Sequence, residues 1–127
     1  MNVVFDFYSA CCIQPDQEKL SGLLDHRIVL VLTKGDKTRT IQGVEEVMLF
    51  FLENFFDVTS NTSLTNLNVT QHNIGEFSTL VTGEQDKTNY GGRILFVENA
   101  SFLVVDGKIA RYAPNCQTGL LADVDLK

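Results

Sequence analysis

The chain has 127 residues, 44% of them hydrophobic and 20% charged, with a formal net charge of −6. That length suits a single domain spanning residues 1–127, large enough to bury a core without disulfide or metal staples. The acidic balance counts against a nucleic-acid surface, which needs clustered Lys and Arg; the ten basic residues here are scattered.

Residues 3 to 12 place Val3, Val4, Phe7, Tyr8, Cys11 and Cys12 at helical spacing, giving one apolar stripe. Of the two cysteines, that stripe buries one and leaves the other peripheral. Pro15-Asp16 interrupts, and Asp16 is placed to cap a second helix whose buried face is Leu20, Leu23 and Leu24. IVLVLT, residues 28 to 33, is rich in β-branched residues and too short for a helix. KGDK supplies a turn and TRTIQ a returning strand. Lys34, Lys37 and Arg39 fall around this turn and read as a solvated hairpin tip.

Gly43 opens the clearest helix. Val44, Val47, Met48, Phe51, Leu52, Phe55 and Phe56 follow the helical period, and Glu45 and Glu46 complement the dipole in the first turn. DVTSNTS ends it. From residue 64 the period drops to two, predicting strands at 64–72, 77–85, 92–105 and 108–114. Turns at Asn73–Glu76, Asp86–Tyr90 and Asp106-Gly107 join them.

The strand at 92–105 is apolar on both faces, with Ile94 and Phe96 on one side and Leu95 and Val97 on the other. An antiparallel sheet with one solvated face alternates apolar with polar. Helices can cover one face here, and a second copy of the sheet is the simplest cover for the other. The pattern therefore predicts a homodimer packed sheet to sheet.

No apolar run approaches the roughly 20 residues of a membrane helix, and MNVVFDFYSACC lacks the basic leader of a secretory signal. Three cysteines, two of them adjacent, fit a cytoplasmic protein better than a disulfide framework. On that basis the three Asn-x-Ser/Thr sequences at Asn61, Asn68 and Asn99 are coincidental. Two histidines and three cysteines show no metal-ligand spacing, and no phosphate-binding glycine loop is present, so neither metal nor cofactor is expected.

Three stretches together resemble the nuclear transport factor 2-like superfamily, including its SnoaL-like members. FYSACCIQPDQEKLSGLLDHRIVLVL is similar to the family's opening, TIQGVEEVMLFF to its joint of strand, glycine and helix, and FLVVDGKIARY to its closing hairpin. The likeness runs from Val3 to about Tyr112. It implies an α+β fold: a curved mixed, mainly antiparallel sheet forming a cone closed by three N-terminal helices. It also implies an apolar pocket inside the cone and frequent dimerisation through the outer side.

Activity does not follow from such a fold, which hosts isomerases, cyclases, dehydratases, adaptors and proteins without known activity. Steroid-isomerase-like members carry a carboxylate base near the end of the first strand. Here that region is Val31-Leu32-Thr33, with no ionisable group, so whether the chain is an enzyme stays open. Tyr8 matches a family position whose hydroxyl donates to a substrate oxygen; the alternative is a core tyrosine bonded to backbone. Glu98 shares parity with Ile94 and Phe96, and a pocket position would raise its pKa and suit it to proton transfer. At the dimer seam or strand edge it would be structural. His72 lines the cavity or lies on the surface. Arg111 is placed opposite Phe102 if the two-residue turn alone sets the register.

The catalytic candidates are thus Tyr8, His72 and Glu98, and the expected ligand pocket is Tyr8, Phe51, Phe55, His72, Phe96 and Glu98. The leading expectation is a small homodimer binding a small apolar ligand in the cone. An isomerase, cyclase or dehydratase working by proton transfer is the alternative. A protein-interaction adaptor is the third reading, and it requires an exposed apolar patch.

Overall fold

The structure, a computed structural model, describes residues 2–56, 62–87, 92–122 and Leu126. Asn2 caps the first helix, α1 (Val3–Tyr8), its side-chain oxygen accepting from the Val4 N–H at 2.8 Å. The expected helix over 3–12 does not continue as one α-helix. It widens into a π turn at Ser9–Ile13, closed by the Gln14 N–H on the Ser9 carbonyl at 2.8 Å. A π turn inserts an extra residue and rotates the buried stripe. Cys11 and Cys12 are consequently both buried, correcting the expectation that one would be peripheral.

Asp16 caps α2 (Gln17–Leu23) through the Lys19 N–H at 3.1 Å. Leu24, expected on that helix, instead begins the strand β1 (Leu24–Lys34). Its backbone pairs with Ile109 at the far end of the chain, so sheet pairing prevails over helical spacing. The return strand is β2 (Lys37–Gln42), followed by α3 (Val44–Phe51), which ends in a second π turn at Leu52–Phe56. Of the basic residues of the β1–β2 turn, Lys37 and Arg39 are exposed as expected, Arg39 lying 5.7 Å from the centre of the Phe50 ring, whereas the half-buried Lys34 donates from Nζ to the Ala122 carbonyl at 2.7 Å.

Four long strands complete the chain: β3 (Thr62–Asn73), β4 (Glu76–Lys87), β5 (Gly92–Val105) and β6 (Lys108–Pro114). Most of the turn expected at Asp86–Tyr90, residues 88–90, lies outside the described residues. The six strands form one sheet in the order β2-β1-β6-β5-β4-β3. All neighbours are antiparallel except β1 and β6, which run parallel, so the sheet is mixed. This is the expected α+β architecture.

Asp106 and Gly107 turn β5 into β6 with φ of 52° and 77°, as a tight two-residue hairpin requires. Beyond the turn the ladder slips by one residue between Leu103 and Val104, a β-bulge that spends Ala110 without a partner. Arg111 therefore pairs with Leu103, and Tyr112 takes the place opposite Phe102 that the simple register assigned to Arg111.

One face of the sheet is buried beneath the helices. Ile28, Leu30 and Leu32 of β1, Phe96, Ala100 and Phe102 of β5, and Ile109 and Tyr112 of β6 join Phe7, Tyr8, Leu20, Val47 and Phe51 in one cluster. The other face is open, and Leu80, Leu95, Val97 and Val105 stand exposed on it, Leu95 by 77%. Among the described residues no helix is long and apolar enough to cross a membrane.

Candidate functional site

The most unusual group in the core is Glu98. It lies in the middle of β5 with its side chain on the helix-covered face, between the buried Phe96 and Ala100, and it is 0% exposed. Burying a carboxyl in apolar surroundings costs several kcal/mol unless donors satisfy it. The donors come from three elements. The Tyr8 hydroxyl, carried by α1, reaches Oε2 at 2.6 Å, and the Tyr112 hydroxyl, carried by β6, reaches the same oxygen at 2.7 Å. The Leu120 backbone N–H donates to Oε1 at 3.3 Å.

Tyr8 is fixed in turn by Thr79 of β4, whose Oγ1 lies 2.9 Å from its hydroxyl. With the tyrosine proton directed at the carboxylate, Thr79 is the donor in that pair. The chain of bonds then runs from Thr79 to Tyr8 to Glu98, with Tyr112 arriving from the other side.

Tyr112 reaches this position because of the β6 bulge. Ile109 and Tyr112 are three positions apart, and a regular strand would send them to opposite faces. The extra residue lets both turn inward, and both are completely buried. The Tyr112 ring stacks on Phe102 with centroids 4.9 Å apart. Phe7 fills the middle of the group, with its ring 4.7 Å from Tyr112, 5.3 Å from Tyr8, 5.4 Å from Phe102 and 6.0 Å from Phe51.

The electrostatics follow from this geometry. Burial pushes the Glu98 carboxyl up from the ordinary carboxylate range, opposed by the Tyr8 and Tyr112 hydroxyls and the Leu120 amide, which favour the charged form. Burial and then the charge of Glu98 hold both tyrosines well above their usual value. The same two causes raise the Cys12 thiol, and burial pushes Cys116 up to about 11, so neither thiol is an activated nucleophile. Among the described residues every polar partner of Glu98 is a neutral donor. No three His, Cys, Asp or Glu among them converge to hold a metal ion.

Of the residues singled out in the sequence, the structure brings Tyr8 and Glu98 into direct contact and sets Phe51 and Phe96 in the same buried cluster. The Phe55 side chain lies outside the described residues. His72 does not join them. It is exposed on β3, and its Nε2 lies 2.6 Å from the Ser78 Oγ, beside a groove on the open face. That groove, of about 720 Å³, is lined by hydroxyls and amides, among them Thr33, Asn68, Ser78, Asn99 and Ser101. Tyr112 is the residue that sequence reasoning missed. The signal was present in KIARYAP, where two large apolar residues stand at an odd spacing on one strand.

No protein-family model matches the chain, and no curated protein matches it. Solved structures do. A Bacillus subtilis protein proposed to be an isomerase superposes with a TM-score of 0.74 at 14% identity, covering 89% of this chain and 82% of the other. A phenazine biosynthesis-related protein from Pseudomonas aeruginosa gives 0.70 at 16% identity, over 89% and 75% of the two chains. A nuclear transport factor 2-like protein from Anabaena variabilis gives 0.68 at 20% identity, over 87% and 81%. At these identities the likeness is one of fold, and the fold is the one the three sequence stretches implied.

Proposed function

From the nuclear transport factor 2-like fold of this chain, we propose a small homodimeric protein, acting as a single domain, that binds a small and largely apolar molecule on the concave side of its sheet. The Glu98 carboxyl with the Tyr8 and Tyr112 hydroxyls forms the polar end of that site. The observation that carries the reading is the meeting of two tyrosine hydroxyls on one buried carboxyl oxygen, at 2.6 and 2.7 Å, inside an otherwise apolar cluster. Ligand sites are commonly built this way, from apolar walls with a few converging polar groups that fix orientation. The exposed Leu80, Leu95, Val97 and Val105 on the open face support the dimer, because a second copy laid sheet to sheet covers them. All three cysteines are free thiols, in keeping with a cytoplasmic setting.

The test is extraction of the purified protein followed by mass spectrometry of whatever is released. A defined small molecule present in the native chain and lost in Tyr8→Phe/Tyr112→Phe supports the reading. A chain that releases nothing, from several expression hosts, contradicts it.

One observation favours a second reading. A buried carboxyl raised by desolvation and bonded to a tyrosine hydroxyl is suited to shuttle a proton next to a carbonyl or hydroxyl, as an isomerase, cyclase or dehydratase requires. Glu98 would then be the base and Tyr8 the donor. Turnover of the identified molecule, abolished in Glu98→Gln with binding retained, distinguishes this reading from simple binding.

A further inference from the structure

Beyond β6 the described residues make one bridge, between Asn115 and Thr33, and then run through turns over residues 116–122. Without regular structure it nevertheless buries Cys116, Leu120 and Leu121. A few hydrogen bonds hold it down. The Cys116 N–H donates to the Thr33 carbonyl at 2.8 Å. Thr118 exchanges bonds with Val97: its carbonyl accepts from the Val97 N–H at 3.0 Å and its hydroxyl donates to the Val97 carbonyl at 2.8 Å. Lys34 reaches the Ala122 carbonyl.

This segment also ends on Glu98. The Leu120 N–H is the partner of Oε1, and its 3.3 Å is the longest of the carboxyl's three bonds. Gly119 lies flat against the same group. A Cβ there would come within 2.8 Å of the Asn115 carbonyl oxygen and 3.1 Å of Glu98 Oε1.

We infer that residues 116–122 form a strap that caps the Glu98 end of the site and lifts as a unit, exposing Oε1 on the side where Leu120 now sits. The inference rests on the reading of Glu98 as the polar end of a ligand site. Segments held by few bonds and short of regular structure open locally at lower free energy than the sheet beneath them. The geometry also specifies what replaces the strap. Among the described residues every polar partner of Glu98 is a donor, so a molecule taking the place of the Leu120 N–H against the ionised carboxylate must bring an O–H or N–H of its own. Alcohols and amines with an apolar body satisfy this. An ester or ketone offering only acceptors does not.

Cys116 lies in the strap, whereas Cys11 and Cys12 lie in the π turn after α1, so thiol labelling reads the two regions separately. The experiment is native-state alkylation of the intact protein with iodoacetamide, with each cysteine followed by peptide mass mapping. Cys116 is expected to react ahead of the other two. Thr118→Val removes one latch from an exposed position and should speed Cys116 alone by roughly fivefold, the change that one hydrogen bond of typical net strength supports. Gly119→Ala, which places a methyl group against Glu98, should speed it further. Cysteines that react at one common rate in all three proteins, or a Thr118→Val variant that leaves Cys116 unchanged, overturn the strap. The labelling needs no ligand, so its failure is separate from a failure to extract a bound molecule.

Discussion

Ile109 and Tyr112 stand three residues apart on the same strand, and both side chains are buried on the same face of the sheet. The unpaired Ala110 makes this possible, and it leads to an unusual expectation. Deleting a residue from a strand ordinarily turns every later side chain to the other face. Deleting Ala110 restores plain alternation instead, with Ile109 and Tyr112 inward and Arg111 outward, and with the pairs Leu103–Arg111 and Phe102–Tyr112 intact. The deletion variant should fold, and urea unfolding should show a smaller loss than truncation of the Phe7 ring. Insertion of one alanine at the same point should be far more damaging. The reverse ranking contradicts the assigned bulge.

Phe7 touches Tyr8, Phe51, Phe102 and Tyr112. Phe7→Ala removes a ring contact from each of them and opens a cavity where helix meets sheet, at an expected cost of about 3–5 kcal/mol in denaturant unfolding. Phe5, two positions earlier on the outer side of α1 and 43% exposed, should lose well under half of that on the same change.

Tyr8 and Tyr112 share one carboxyl oxygen, so their contributions are coupled. Each change to Phe should cost about 1–3 kcal/mol, and Tyr8→Phe also strips the buried Thr79 of its hydroxyl partner. The double variant should depart from the sum by at least about 0.5 kcal/mol, because the pair acts through a single group. Strict additivity in a double-mutant cycle would show that the two hydroxyls act independently.

The raised Glu98 carboxyl gives stability a definite dependence on pH. A carboxyl whose folded pKa exceeds its unfolded value binds its proton more tightly in the folded state. That contribution is complete below the ordinary carboxylate range and is lost as pH rises through the raised value. Glu98→Gln cannot titrate, so the stability difference between variant and parent should shift in the variant's favour across that window. A difference that is flat with pH would mean that the donors cancel the effect of burial.

Sedimentation at micromolar concentration should report a dimer, and Leu95→Glu/Val97→Lys on the open face should yield a folded monomer. A parent chain that sediments as a monomer would remove the sheet-to-sheet assembly.

Much of the architecture was legible because each element carries its own period. The stripe on α3, the two-residue alternation after residue 64 and the Asp106-Gly107 turn are local signals that agree with one another, and together they identify the fold. Glu98 was legible for a similar reason, since it shares parity with Phe96. What escaped were features fixed by pairing across the chain. The π turn that buries both Cys11 and Cys12, the early start of β1 at Leu24 opposite Ile109 and the one-residue slip that brings Tyr112 to Glu98 all break a local period. His72 shows the same limit: alternation alone does not say which face of β3 meets the helices, and the pairing places it beside Ser78 on the open one. The strap over Oε1 has no period at all, so only the folded chain reveals it.

The parallel pairing of β1 with β6 has a bearing on how the molecule assembles. The second and third strands of the sheet come from distant parts of the described chain, with Leu30 beside Tyr112. The hairpin β1–β2 and the meander β3–β6 are each local. The seam that joins them closes a loop of most of the chain, and sheets dominated by such pairings form slowly, on the millisecond-to-second scale. Tyr112 meets Glu98 within the local β5–β6 hairpin, whereas Tyr8 arrives from α1, near the other end of the described chain. Completion of the polar centre thus waits for α1 to dock on the sheet, and a kinetic trap with both hairpins formed would hold Tyr112 against Glu98 but lack Tyr8.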